Sequence, residues 1–226
     1  ASKGEGLGNQ FLGQIRQVNT IIHVVRCFKD ENITHVSGKV DPIGDAEIIE
    51  TELLLADIQT LEKQYRKTEK IAKSGDKNNQ LKFSLISALL DHCNNGNKAK
   101  TYTENIQEIE IIKKLNLLTF KPILYVANVG ESDISANEVG NLNDKLSEFA
   151  KKSGNISITL CSKLEQEIAV LSENEKDIFL KEYKLSEQGL NKLIKSAFNL
   201  LGLETFFTAG PKEVRSWTIK KGTTAP

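Results

Sequence analysis

The run "PILYVAN", Pro122 to Asn128, is apolar or aromatic at every position until its last residue. Side chains alternate between the two faces of a strand, so a strand that is apolar throughout must be buried on both faces. Parallel sheets covered by helices meet that condition. "TIIHVVRCF" (Thr20–Phe28) and "ISITLCS" (Ile156–Ser162) share this character and are rich in β-branched residues. A helical pattern spans 137–152 between the last two runs, and others follow around 163–171, 174–183 and 187–201. Such alternation predicts an α/β fold with helices on both faces of a parallel sheet. In open sheets of this kind ligands lie beyond the carboxyl ends of the strands. Here those ends are Asn128 and Cys161-Ser162.

The interval between the first two runs is too long for a single crossover helix. Within it Leu54, Ile58, Leu61, Tyr65, Thr68 and Ala72 step by 4, 3, 4, 3 and 4. This is the heptad seam of a helix running from about 46 to 73. "SGDKNN" (74–79) reads as a turn, after which Leu81, Leu85, Ala88 and His92 continue the stepping on a second helix. The expectation is an antiparallel helical hairpin, a coiled-coil insertion projecting from the sheet domain. The alternative is that these helices pack flat on the core. Ile106, Ile109 and Ile112–Lys113 mark a third, short helix that returns the chain to the sheet. Lys63, Arg66, Lys67, Lys70 and Lys73 lie near the hairpin tip and suit RNA phosphates by charge. Glu62 and Glu69 stand among them, which also fits a plain solvated face. From 204 to 219, "ETFFTAGPKEVRSWTI" changes into two short strand-like runs, the start of another β-rich unit.

With 226 residues the chain can bury a sizeable core. Its 30 basic residues balance 30 acidic ones, so no overall field draws it to nucleic acid or anionic lipid. Cys27, Cys93 and Cys161 are odd in number and widely spaced. That argues against a disulfide framework or a zinc cluster and fits a reducing, cytoplasmic setting. No apolar run reaches the roughly 18 residues of a membrane helix, and "ASKGEGLGNQ" lacks the features of a signal peptide. The sequence holds no methionine and opens and closes on "ASKGEGLG" and "KKGTTAP". It therefore reads as part of a longer protein.

A purine is recognised at its edge by groups held in one plane. Asn128, at a strand end, offers both an amide donor and an acceptor and can brace neighbouring loops. Glu131 follows three residues later, a carboxylate able to face a base edge. In GTP-binding proteins an Asp takes that place, accepting two hydrogen bonds from guanine, and a Lys follows the Asn. Here Val129 replaces the Lys and the longer Glu131 replaces the Asp. Adenine has no N1–H to donate, and losing one buried charge-assisted bond changes specificity by about a hundredfold. "SKGEGLGNQF" (2–11) is a second candidate. Gly4, Gly6 and Gly8 free its backbone to approach a phosphate, or simply make a pliable terminus. Cys161-Ser162 has no convincing histidine partner for nucleophilic work, and backbone contact with a base suits it better. No His, Cys and carboxylate cluster has metal-ligand spacing.

Together these residues resemble the Obg-like ATPases, the YchF family of the P-loop GTPase class. "HVVRCF" (23–28), "HVSGKVDPIGD" (35–45), "TELLLAD" (51–57), "LTFKPILYVANVGE" (118–131), "GLNKLIKSAFNLLGLETFFTAGPKEVRSWTI" (189–219) and "GTTAP" (222–226) are similar to family blocks, in family order. The segment "ASKGEGLGNQFL" resembles the stretch just after that family's switch II aspartate. The resemblance implies a partial P-loop NTPase domain over 1–43 and 118–203, interrupted by the helical insertion at 44–117. A TGS domain would start at 204–226. It implies ATP rather than GTP, with Asn128, Val129, Gly130 and Glu131 as the base-reading loop and Cys161 and Ser162 as the loop that closes on the base. Gly4, Gly6 and Gly8 would form the tail of switch II. It also implies Mg²⁺, an ATP-hydrolysing switch acting in translation or stress response, and the ribosome as partner, with RNA contact through hairpin and TGS surfaces. Docking on the ribosome with slow, regulatory hydrolysis is the alternative. No Gly-x-x-x-x-Gly-Lys-Ser/Thr pattern occurs in the chain, so the phosphate and Mg²⁺ ligands are expected elsewhere, no catalytic residue is assigned, and the 226 residues alone are expected to lack ATPase activity.

Overall fold

The structure, a computed structural model, describes residues 7–36, 38–73, 76–135 and 141–224. In chain order the elements are α1 (Leu7–Gln17), β1 (Ile21–Arg26), α2 (Pro42–Ala72), α3 (Lys77–Asn94), α4 (Ile106–Lys113) and β2 (Ile123–Asn128). After them come α5 (Glu131–Ser135), α6 (Asn141–Lys152), β3 (Ile156–Leu160), α7 (Ser162–Ile168), α8 (Glu173–Glu182), α9 (Gly189–Leu200), β4 (Leu203–Ala209) and β5 (Val214–Lys220). Two compact units result. One comprises residues 1–21 and 47–121, the other 22–46 and 122–226.

The first unit is helical. Asp76 opens α3, its side chain accepting from the Asn79 N–H, and Asn105 opens α4 by accepting from Gln107 and Glu108. Both satisfy donors that a helix start leaves orphaned. The seam on α2 forms as its stepping predicts: Leu61 and Thr68 are buried, with Leu54 and Ile58 packed in the cluster around Leu61. On α3 the stripe is displaced from the expected one. Leu85, Ile86, Leu89 and Cys93 are buried, whereas Leu81 is 69% exposed and Ala88 faces solvent. Leu81 therefore lies outside the seam, and Phe83 replaces it, its ring 5.1 Å from Tyr65. Leu12 of α1 joins Leu53, Ala56 and Leu118 in a second cluster.

A buried aspartate ties this unit together. Asp57 on α2 is wholly buried and accepts from the Leu118 N–H at 2.8 Å and the Thr119 N–H at 2.7 Å. The Thr119 hydroxyl donates to it at 2.8 Å, and Arg16 of α1 approaches at 3.3 Å. Arg16 also donates to the Ala56 and Asn116 carbonyls. One carboxylate thus fixes α1, α2 and the 116–119 segment that leads to β2.

The second unit carries the sheet, in the order β1-β2-β3. β2 and β3 run parallel, with Val126 opposite Ile158 and Asn128 opposite Leu160. β2 is buried from Ile123 to Ala127, as its composition requires. On one face Leu124 and Val126 pack with Leu193, Ala197 and Leu200 of α9. On the other the Tyr125 ring meets Phe149 of α6 edge-on at 5.8 Å and His23 at 5.5 Å. β1 departs from the buried pattern expected of it, since Ile22 and Val24 are exposed while Val25 is buried. β4 and β5 form a separate antiparallel hairpin. Among the described residues no helix is long and apolar enough to cross a membrane.

Removing a partner from a buried charged network leaves the other groups desolvated and unpaired. Asp57→Ala is therefore expected to lower unfolding stability by about 3–5 kcal/mol in a urea titration.

Candidate functional site

The carboxyl ends of the three strands meet. The Cys27 N–H, just past β1, donates to the Asn128 carbonyl at 2.8 Å, and the Val129 N–H donates to the Leu160 carbonyl at 3.0 Å. Sheet pairing thus continues one step beyond the strands and aligns the loops that leave them. The Asn128 side chain then crosses the gap: its Oδ1 accepts from the Ser162 N–H at 2.9 Å. The amide seen in sequence at a strand end is a brace between two loops.

Gly130 makes the turn after β2. Its N–H donates to Asp133 at 3.0 Å, closing the loop into α5. A Cβ on Gly130 would stand 3.2 Å from that same carboxylate oxygen, which would have to give by a few tenths of an ångström, and in ordinary contact with Phe28 at 3.6 Å. On the β3 side, Glu165 of α7 accepts from the Gly189 and Leu190 N–H groups at 2.7 and 3.0 Å, capping α9. A Cβ at Gly189 would lie 2.8 Å from Glu165 Oε1 and 2.9 Å from Leu160 Cβ, so only glycine fits there. This joint fixes α7, whose first turn carries Ser162 and Lys163.

These loops surround a cleft of about 720 Å³ lined by Asn128, Val129, Gly130, Glu131, Cys161 and Ser162. All six residues singled out in sequence at the two strand ends share it. Val129 is 2% exposed, so it offers the cleft an edge while its side chain serves the core. Cys161 is buried at the N-cap of α7. Gly4 and Gly6 lie outside the described residues. Gly8 falls in the first turn of α1 rather than in an open loop and does not line this cleft. Burial pushes the Cys27 and Cys93 thiols up to about 12, which leaves them protonated and inert near neutrality.

The structure adds residues that sequence reading missed. Phe28, Lys29, Asp30 and Ile33 form a third wall after β1, with Lys163 and Gln166 on the α7 side. Arg26 shapes the third wall, its guanidinium donating to the carbonyls of Phe28, Asp30 and Ile33 and lying 4.7 Å over the Phe28 ring. The signal available was Arg26-Cys27-Phe28 directly at the end of the first strand. Glu131, read in sequence as a carboxylate aimed at a ligand, is also tied inside the protein. Lys163 Nζ reaches its Oε2 at 2.6 Å, and the Tyr183 hydroxyl donates to its Oε1 at 2.8 Å.

An α/β protein with a strand-end cleft on a parallel sheet and a separate helical unit is the class these features define. The chain is 50% identical to the ribosome-binding ATPase YchF of Bacillus subtilis (strain 168) over its whole length, covering 62% of that protein. It is 45% identical to the protein of the same name from Escherichia coli O157:H7, covering 61% of it. A solved structure, that of the Schizosaccharomyces pombe YchF GTPase, superposes with a TM-score of 0.86 at 34% identity, covering all of this chain and 61% of the other. The family YchF-GTPase_C, described as a protein of unknown function (DUF933), matches residues 203–226. Over its whole length the chain is similar to proteins named YchF. It spans about three fifths of the length of the curated relatives it matches.

Hydrogen bonds from Lys163 first, and then from Tyr183, hold the Glu131 carboxyl below its ordinary 4.5. A lowered acid stabilises the fold above its unfolded value, and that contribution is lost as pH falls through the lowered one. The pairing of Glu131 with Lys163 and Tyr183 is accordingly favoured at neutral pH and weakens as pH falls through the lowered value. A carbon-detected NMR titration is expected to place Glu131 below 4.5, and Lys163→Ala is expected to raise it.

Proposed function

We propose that the cleft is the base-reading half of a purine nucleotide site, and that the complete protein is an ATP-hydrolysing switch of the P-loop class that associates with ribosomes. The observation that carries this reading is the meeting of three strand ends, locked by Asn128 and Ser162, around a glutamate kept ionised. Crevices beyond the carboxyl ends of parallel strands are where such folds bind ligands. Asn128 positions the two loops, Gly130 lets a flat base come close to the backbone, and Glu131 accepts a hydrogen bond from the base edge. Cys161 and Ser162 close the site through their backbone.

The names of the relatives divide between ATPase and GTPase, so the choice of purine must be argued from residues. Val129 puts a buried aliphatic group where a cation over the base would stand, and Glu131 is a methylene longer than the aspartate that takes guanine in two bonds. Both favour adenine. Phosphate and Mg²⁺ ligands are assigned to sequence that the longer relatives have in addition, since the Gly-x-x-x-x-Gly-Lys-Ser/Thr pattern is absent here. Residues 1–43 and 118–203 are read as the nucleotide domain, though 1–21 and 118–121 fall in the helical unit, with 44–117 as its insertion and the β4–β5 hairpin as the first strands of a TGS domain.

A second reading makes the protein chiefly a docking module on ribosomal RNA with slow hydrolysis. Exposure of Lys63, Arg66, Lys67 and Lys70 along α2 and of Lys73 just past its end favours it. Glu131→Asp combined with Val129→Lys in the complete protein tests both. The switch reading expects the ATP-over-GTP affinity ratio to fall by about a hundredfold in calorimetry, with ribosome association shifting alongside. Loss of ATP preference with unchanged association would favour docking. An unchanged ratio would count against the base site itself.

A further inference from the structure

Glu131 does not face the cleft as a lone carboxylate. It stands at the start of α5, and two residues distant in sequence each hold one of its oxygens. Lys163, in the first turn of α7, lies 2.6 Å from Oε2. Tyr183, the residue that ends α8, donates its hydroxyl to Oε1 at 2.8 Å. The phenol is itself positioned, its ring stacked on Phe179 with centroids 4.7 Å apart and planes at 27°. Glu131 and Lys163 both line the cleft.

From this geometry we propose that Lys163 and Tyr183 are specificity-determining positioning residues, which fix the Glu131 carboxylate so that it serves an amino-purine and refuses the two-bond pairing of guanine. The proposal rests on the reading of the cleft as a base site and deepens it.

A carboxylate pairs with guanine N1–H and the exocyclic amine by turning both oxygens to the same edge. Each oxygen has two acceptor directions, and here at least one on each is committed to a different helix. Presenting both oxygens to one base edge must use the second acceptor direction of each, unless the bonds to Lys163 and Tyr183 are given up. Adenine asks for less, since its amine donates one hydrogen bond to one oxygen and needs no rotation of the group. Discrimination therefore arises from restraint of the carboxylate and not only from its length. The ionic partner holds Oε2 and the phenol holds Oε1, which together fix which oxygen faces which way. Because Tyr183 comes from the end of α8 and Lys163 from α7, the restraint is also a joint between those helices and α5.

The test uses the complete protein with ATP and GTP as the calorimetric probes and compares Tyr183→Phe, Lys163→Ala, Lys163→Arg and Glu131→Ala, with thermal unfolding run on each. Tyr183→Phe and Lys163→Ala are each expected to lower the ATP-over-GTP affinity ratio by roughly three- to tenfold. The change should come mainly from tighter GTP binding, as the freed carboxylate turns to take two bonds. Lys163→Arg should restore most of the preference. A general loss of packing would weaken both nucleotides alike and leave the ratio where it was. If Glu131→Ala alters the ratio while Tyr183→Phe and Lys163→Ala do not, the clamp is refuted and the base site stands. If Glu131→Ala leaves the ratio unchanged, the base-site reading itself is overturned.

Discussion

The hydrogen bond from the Ser162 N–H to the Asn128 side chain is the constraint on which the cleft depends. Parallel pairing brings the ends of β2 and β3 level, with Asn128 opposite Leu160. Pairing alone would leave the loops beyond them free to diverge. The side-chain bond fastens the first residue of α7 to the last residue of β2, so the walls of the cleft become extensions of the sheet. Phe28 and its neighbours are held by the same logic, through Cys27 and the Arg26 guanidinium. Loop residues on a rigid scaffold are where binding groups are usually placed. Here the scaffold reaches into the loops themselves.

The helical unit uses a comparable device at another depth. Asp57 gathers α1, α2 and the 116–119 segment about one buried carboxylate. A buried charge stabilises only when its partners are complete, and this one has two backbone donors, a hydroxyl and a guanidinium. It fixes the segment from which β2 departs, while Leu61, Leu89 and Ile112 supply the apolar contact. In both units a single polar side chain decides where the chain goes after a regular element ends.

What was legible in the sequence follows from periodicity. β2 was readable because an all-apolar run admits only double-sided burial, and α2 because six residues kept a heptad step. The Asn128 to Glu131 loop was readable because it ends that strand, and Cys161-Ser162 for the same reason. Where the pattern was weaker the reading slipped. Leu81 and Ala88 fit the stepping but are exposed, and it is Leu85, Leu89 and Cys93 of α3 that cluster with Leu61 of α2. Gly8 belongs to a helix because the residues after it carry an amphipathic stripe containing Leu12, which outweighs the cost of one glycine in a first turn. Partners far apart in sequence left no trace. Nothing links Tyr183 to Glu131 except folding, nor Asp57 to Thr119.

All of this turns on the claim that Glu131 and the Asn128–Ser162 brace meet the edge of a purine. Crystallography of the complete protein with a non-hydrolysable ATP analogue examines that most directly. Expected is the adenine amine about 3 Å from a Glu131 oxygen, with the Asn128 bond to Ser162 intact and the base lying against Gly130 and Phe28. A base seated outside the cleft formed by Phe28, Gly130 and Ser162, or one that lies within it while Glu131 turns away, would contradict the claim.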